Sequence, residues 1–279
     1  MGKCWADCLG NCSSKQSREH LVSESIFPHG RISVQGFSWC LREAKDIGIS
    51  GLTGKILCEE HNNRLSPVDQ IGCSAFDTFK EIRRLANVRK NIKPGLRHVV
   101  RYTIDGPMLE RWFLKTLINL SCDKEYPIGR ESLAVGRPSE QLVRVAYGLE
   151  QFKDKAGLYC VMRAGMRIES TDTNKFLPLI KSGHHIEGGV FVFRGQQFLL
   201  FLEPEGPPHP LPEIHFENEN LSQCILCFHD TNIQIKEGKH LSQVLTIEWP
   251  RLGRTNLKPT AVLSDSQDPL PSQSAPSSS

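Results

Sequence analysis

The feature that most restricts this chain is a set of soft metal ligands near its start. Cys4, Cys8 and Cys12 follow one another with three residues between each, and Cys58-Glu59-Glu60-His61 adds a thiol and an imidazole with two residues between them. Thiolate and imidazole are the usual ligands of a tetrahedral structural zinc. Two thiols of the first group, joined to Cys58 and His61, would make a Cys3His site that closes a long loop and supplies folding energy to a segment with an irregular middle. Three thiols compete for two places. Cys8 and Cys12 are favoured, with Cys4 as the alternative ligand, although three residues between the thiols are one more than a zinc knuckle has. The plainer reading is a group of unrelated buried thiols, since free cysteine is often simply buried.

Ten cysteines are expected to be reduced if the chain stays in the cytoplasm, and the sequence points that way. A polar, cysteine-bearing stretch, MGKCWADCLG, stands where a secretory signal would need an apolar segment. The longest apolar runs, Val190 to Phe193 and Phe198 to Leu202, are far shorter than the roughly 18 to 20 residues of a membrane-spanning helix. No membrane association is expected. At 279 residues, the prior is about two domains. The net charge of +3 is too small to mark a nucleic-acid binder by itself, so local charge has to be read.

Between Lys80 and Arg101 there are eight basic residues against the single acid Glu81, more positive charge than the whole chain carries. This run reads as a junction. It suggests a first unit over residues 1–79, a second over 80–260, and a disordered tail over 261–279, where seven serines and three prolines fall in 19 residues. In the second unit, Asp105-Gly106-Pro107 offers a helix cap and a first-turn proline. Leu109, Trp112, Phe113, Leu117 and Leu120 then recur at helical spacing. Strands are expected over 157–168, and over 189–193 and 197–202 as a hairpin turning at Arg194-Gly195-Gln196. Helical and strand signals do not alternate regularly, which predicts an α+β fold with a helix against an antiparallel sheet.

Within the ligand-bearing region lie Ser17-Arg18-Glu19-His20 and, directly after His61, Asn62-Asn63. An acid beside a histidine, followed by Cys-x-x-His-Asn, resembles the HNH endonuclease family with its ββα-metal fold. The likeness covers roughly residues 1–70 and is to the branch with an S-R-E-H box and a zinc knuckle. The resemblance implies a metal-dependent nuclease acting on DNA, with RNA not excluded. It makes His20 the general base and makes Glu19 and Asn62 ligands of a catalytic Mg²⁺ or Mn²⁺, beside the structural zinc. One position departs from the family: no asparagine stands between Leu21 and Leu57, where one usually helps to fix the base-bearing hairpin, and Ser50 or Thr53 are the candidates to replace it.

The chemistry agrees with that assignment on its own terms. A histidine with an ordinary pKa of about 6.5 is partly neutral near pH 7 and can accept a proton from water. Carboxylate and amide oxygens are the hard ligands that Mg²⁺ and Mn²⁺ prefer. Taken singly, Glu19-His20 and Asn62-Asn63 also read as an ordinary strand end and helix start. Arg83, Arg84, Arg89, Lys90 and Lys93 read equally well as a phosphate-tracking surface and as a solvated helix face. The rival function is a non-catalytic, zinc-stabilised nucleic-acid or protein binding module. Cys224-x-x-Cys227 with His229 and His240 reads as a strand entering a core, not as a second zinc site, and His184-His185 have no partner nearby in sequence.

Overall fold

The computed structural model describes residues 4–27, 30–37, 40, 43–93, 98–122, 124–132, 134–162, 174–181, 184–194, 196–207, 215–216, 219–220, 225–228, 232–237, 240–249 and 260–264. Its first half holds four short strands, β1 (Glu19–His20), β2 (Arg31–Val34), β3 (Lys45–Gly48) and β4 (Thr53–Gly54). The long helix α1 (Glu59–Arg89) follows, and then β5 (Val100–Asp105). Two further helices come next, α2 (Gly106–Ser121) and α3 (Glu140–Ala146). The remainder is strand: β6 (Gly157–Met162), β7 (Asn174–Lys181), β8 (His185–Phe193), β9 (Gln196–Phe201), β10 (His215–Phe216), β11 (Glu219–Asn220), β12 (Ile225–Phe228), β13 (Asn232–Glu237), β14 (His240–Glu248) and β15 (Thr260–Ser264).

The result is a mixed α/β structure. A seven-stranded sheet runs in the order β12-β6-β9-β8-β7-β2-β3, antiparallel except where β2 lies parallel to β7. A four-stranded sheet, β15-β13-β14-β5, contains two parallel pairs, and β1 with β4 and β10 with β11 form two-stranded pairs. The hairpin expected around Arg194 is β8–β9, in which Phe193 faces Gln196. The turn is stabilised by Arg194, which adopts φ 51°, donates its backbone N–H to Asn174 Oδ1 and donates its guanidinium to the Ile26 carbonyl.

α2 forms where its sequence predicts. Asp105 caps it by accepting from the Met108 N–H at 2.9 Å, and Pro107 sits in the first turn, where its missing donor costs nothing. The apolar face then meets α1 and the large sheet in an aromatic cluster. Phe76 and Phe79 of α1 pack with Trp112 and Phe113 of α2 and with Phe193 and Phe198 of the sheet, at ring separations from 4.7 Å for Phe113–Phe198 to 6.4 Å for Phe76–Phe198. Unlike an ordinary surface helix, α2 also buries Glu110, Lys115 and Asn119. Buried polar groups need partners, and each of these has one: Glu110 accepts from the Leu158 N–H, Asn119 Oδ1 from Trp5 Nε1, and Lys115 pairs with acids of β1 and α1.

Residue 80 lies inside α1, and β2 and β3 share a sheet with β7. One hydrophobic cluster runs from Cys4 through Phe76 and Trp112 to Trp249. The first four residues of the stretch expected to be disordered belong to β15, which lies parallel to β13; residues 265–279 are outside the described residues. No described helix is long and apolar enough to cross a membrane.

α1 and α2 approach closely at Gly72, where a side-chain carbon would overlap the indole of Trp112. Gly72→Ala is therefore expected to lower stability by about 1–3 kcal/mol through overpacking. Thermal unfolding measures this, and an unchanged melting temperature would show that the helices can separate freely.

Candidate functional site

The N-terminal arm is laced to the start of α1. The Trp5 N–H donates to the Ile56 carbonyl, the Ser17 N–H to Leu57 and the Glu59 N–H to Lys15. Between these ties a short 3-10 turn, Asp7–Leu9, is followed by Gly10 at φ 72° and Asn11 at φ 53°, which reverses the chain. The reversal brings Cys12 back beside Cys4 and leaves Cys8 exposed on the turn. Cys58 caps α1, its sulfur accepting from the His61 N–H, so that its thiol and the His61 ring share the first helical turn.

The donor atoms of Cys4, Cys12, Cys58 and His61 all lie within 4.8 Å of one another. His61 Nδ1 is 3.3 Å from the Cys4 sulfur, 3.5 Å from Cys12 and 3.3 Å from Cys58. Ordinary Zn–S and Zn–N bonds in a tetrahedron put nitrogen and sulfur about 3.6 Å apart. Three thiols and one imidazole at these separations fit a structural zinc in both chemistry and spacing. Of the ligands expected, Cys12, Cys58 and His61 are here, and the alternative, Cys4, stands where Cys8 was favoured.

Electrostatics point the same way. Burial raises the Cys4 thiol, with the neighbouring Cys58 adding to it, and Cys12 is pushed up to about 12 by burial and by the adjacent Cys4 and Cys58. Cys58 moves down: burial opposes ionisation, but hydrogen bonds from the His61 and Ser13 backbones outweigh it. Burial also lowers His61, aided by Arg64, so its ring is neutral and its nitrogen free to ligate. Crowded thiols that resist ionising together are what a bound divalent cation relieves. Tyr147 closes the site from α3's C-terminal end: its hydroxyl donates to the His61 carbonyl at 2.9 Å, and its ring packs on His61 and Trp5.

Next to this cluster β1 pairs antiparallel with β4, with Glu19 opposite Gly54 and His20 opposite Thr53. Thr53 accepts from Arg18 Nε at 3.0 Å and so ties the two strands, whereas Ser50 is exposed in the turn before them. Glu19, His20 and Asn62 all line one open cleft of about 830 Å³, bounded by β1 and by one face of α1. Neighbouring strand residues face opposite ways. His20 is accordingly half exposed, its Nε2 3.6 Å from Glu24, while Glu19 turns inward and pairs with Lys115 at 2.7 Å. Asn62 donates its amide nitrogen to Ser17 Oγ at 2.9 Å, which leaves the amide oxygen as its ligating atom.

No local pattern points to three further residues. Asp69 lies seven positions after Asn62 and so on the same face of α1; it contacts Lys115 at 2.6 Å and accepts from Ser23 at 3.0 Å. Asp77 continues that stripe along the cleft. Lys115 comes from α2 and was reachable only through the tertiary fold. Carboxylate and amide oxygens on one cleft wall are hard donors, a set whose chemistry fits Mg²⁺ or Mn²⁺.

The basic residues divide. Arg84 pairs with Glu81 at 2.7 Å, and Arg89 donates to the Ser242 carbonyl at 3.2 Å, so both have structural partners. Arg83 is half-buried, and Lys90 and Lys93 are exposed at the end of α1. Ile225–Phe228 is a strand, as read; Cys224 and His229 lie outside the described residues, and His240 opens β14. His185 has an acidic partner that sequence distance concealed, Glu203 at 3.4 Å. No protein-family model, curated protein or solved structure matches the chain.

Proposed function

We propose that the chain is a metal-dependent endonuclease of the HNH type, hydrolysing phosphodiester bonds in DNA on a zinc-stabilised ββα-metal unit formed by β1, β4 and α1. The observation that carries this reading is that His20, Glu19 and Asn62 line one cleft beside the Cys4-Cys12-Cys58-His61 cluster. An imidazole can act as the general base, and a carboxylate and an amide oxygen can hold a hard metal ion, a set compatible with metal-assisted hydrolysis.

In this mechanism His20 takes a proton from the attacking water, and Glu24, 3.6 Å from its Nε2, balances the charge the ring acquires. The water oxygen bonds to phosphorus as the bond from phosphorus to the 3′ oxygen breaks. Glu19 and Asn62 would hold Mg²⁺ or Mn²⁺, which when bound neutralises the phosphate and the departing oxygen. Glu19, Glu24, Asp69, Asp77 and Glu81 make the cleft acidic, so an anionic backbone is repelled until a cation is present. Lys90 and Lys93 are among the exposed cations that could track phosphates.

One observation favours a second reading, a non-catalytic nucleic-acid or protein binding module: the Glu19 carboxylate is already paired with Lys115. Nicking of supercoiled plasmid separates the two. The nuclease cuts with Mg²⁺ or Mn²⁺ and stops when the ion is chelated, and Asn62→Ala cuts more slowly. A module retards DNA in a gel without added metal and leaves the plasmid intact under every condition, an outcome that would reject the nuclease.

A further inference from the structure

α2 delivers to the cleft a charge that no motif announces. The Lys115 side chain is 3% exposed, and its ammonium lies 2.7 Å from Glu19 Oε1 and 2.6 Å from Asp69 Oδ2. The partners are themselves fixed. Ser23 donates to the other Asp69 oxygen at 3.0 Å, and Trp112 Nε1 donates to Ser23 at 3.1 Å. An ammonium on a flexible stem is usually free to swing aside; this one is enclosed by α1, α2 and β1.

We infer that Lys115 sets the divalent-cation affinity of the cleft: its ammonium stands between Glu19 and Asp69, so a divalent ion is held weakly and only by sharing Glu19. The inference rests on reading the cleft as a cation site. Charges of +1 and +2 about 5 Å apart repel enough, even at the dielectric constant of water, to weaken binding roughly tenfold, and a drier setting enlarges the effect. Lys115 is thus a positioning residue. It keeps Glu19 and Asp69 in place without a metal and prevents them from closing on one.

Mn²⁺ binding to the zinc-loaded full chain, followed by electron paramagnetic resonance, tests this. Lys115→Met should bind Mn²⁺ at least about tenfold more tightly than the unaltered protein. Lys115→Met with Asp69→Asn, which leaves one unpaired carboxylate instead of two, should also bind more tightly and decides the matter if the single variant fails to fold. Asp69→Asn alone leaves Lys115 to Glu19 and should bind more weakly. A purely structural lysine would give the opposite sign, because its loss loosens the site. Equal or weaker affinity in the Lys115 variants, with zinc content retained, overturns the inference. If the unaltered protein binds Mn²⁺ and cuts DNA while those variants bind no better, this inference falls and the nuclease reading stands. If the unaltered protein neither binds nor cuts but the variants acquire Mn²⁺, the inference stands and the nuclease reading falls.

Discussion

Replacing His20 by alanine is expected to reduce metal-dependent nicking by about 10²–10⁴-fold, the contribution of a positioned general base. The imidazole is half exposed and lies 3.6 Å from Glu24, itself exposed, so its loss is expected to leave the fold intact. Zinc content and melting temperature therefore serve as internal controls. The measurement is the rate of plasmid nicking at saturating Mn²⁺ beside zinc analysis of the same preparation. Nicking that persists at the original rate would remove His20 from the reaction and, with it, the mechanism. Collapse of the fold would instead show that the ring has a structural duty which its exposure does not suggest.

The second large effect concerns the thiol cluster. Cys58→Ser, or quantitative removal of zinc by a chelator, is expected to unfasten the N-terminal arm, because structural zinc contributes on the order of 10 kcal/mol to small domains that depend on it. From sequence, that loosening would stop near residue 70. The structure extends it: Trp5 is hydrogen-bonded to Asn119, and Tyr147 to the His61 carbonyl, so α2 and α3 are fastened to the same cluster. Hydrogen exchange should rise over residues 4–17 and 56–62 and, to a lesser degree, around Asn119 and Tyr147. Exchange confined to the arm would mean that the helices hold themselves. Unchanged exchange after complete zinc removal would mean that the cluster is only four side chains that happen to be neighbours.

What could be read from the chain was local. Asp105-Gly106-Pro107 announces α2 because capping and proline geometry act within one turn, and the β8–β9 hairpin follows from alternation around a short turn. Cys58 and His61 were legible as a pair because one helical turn joins them. The choice between Cys4 and Cys8 was not, since equal spacing gives no direction; the left-handed residues Gly10 and Asn11 make it by turning the chain back. α1 was hidden for another reason. Pro67 lies in its interior and its charged residues mask the apolar stripe, yet tertiary packing of Leu65, Phe76, Phe79 and Ile82 carries the helix through to Arg89. The boundary read near residue 80 falls inside that helix, and a dense run of charge marks a solvated surface as readily as a joint between units. Lys115 and Asp69 were invisible for the simplest reason: 46 residues separate partners that meet only after folding.

The triad of Glu19, Asp69 and Lys115 also constrains how such a sequence can drift over generations. Loss of the lysine leaves the buried Glu19 and the half-buried Asp69 without their shared partner, and loss of either acid shifts the balance at the other, so single replacements at these positions are disfavoured while matched ones are tolerated. A distant cousin whose overall likeness has faded below detection should still betray itself by compensated changes at 19, 69 and 115.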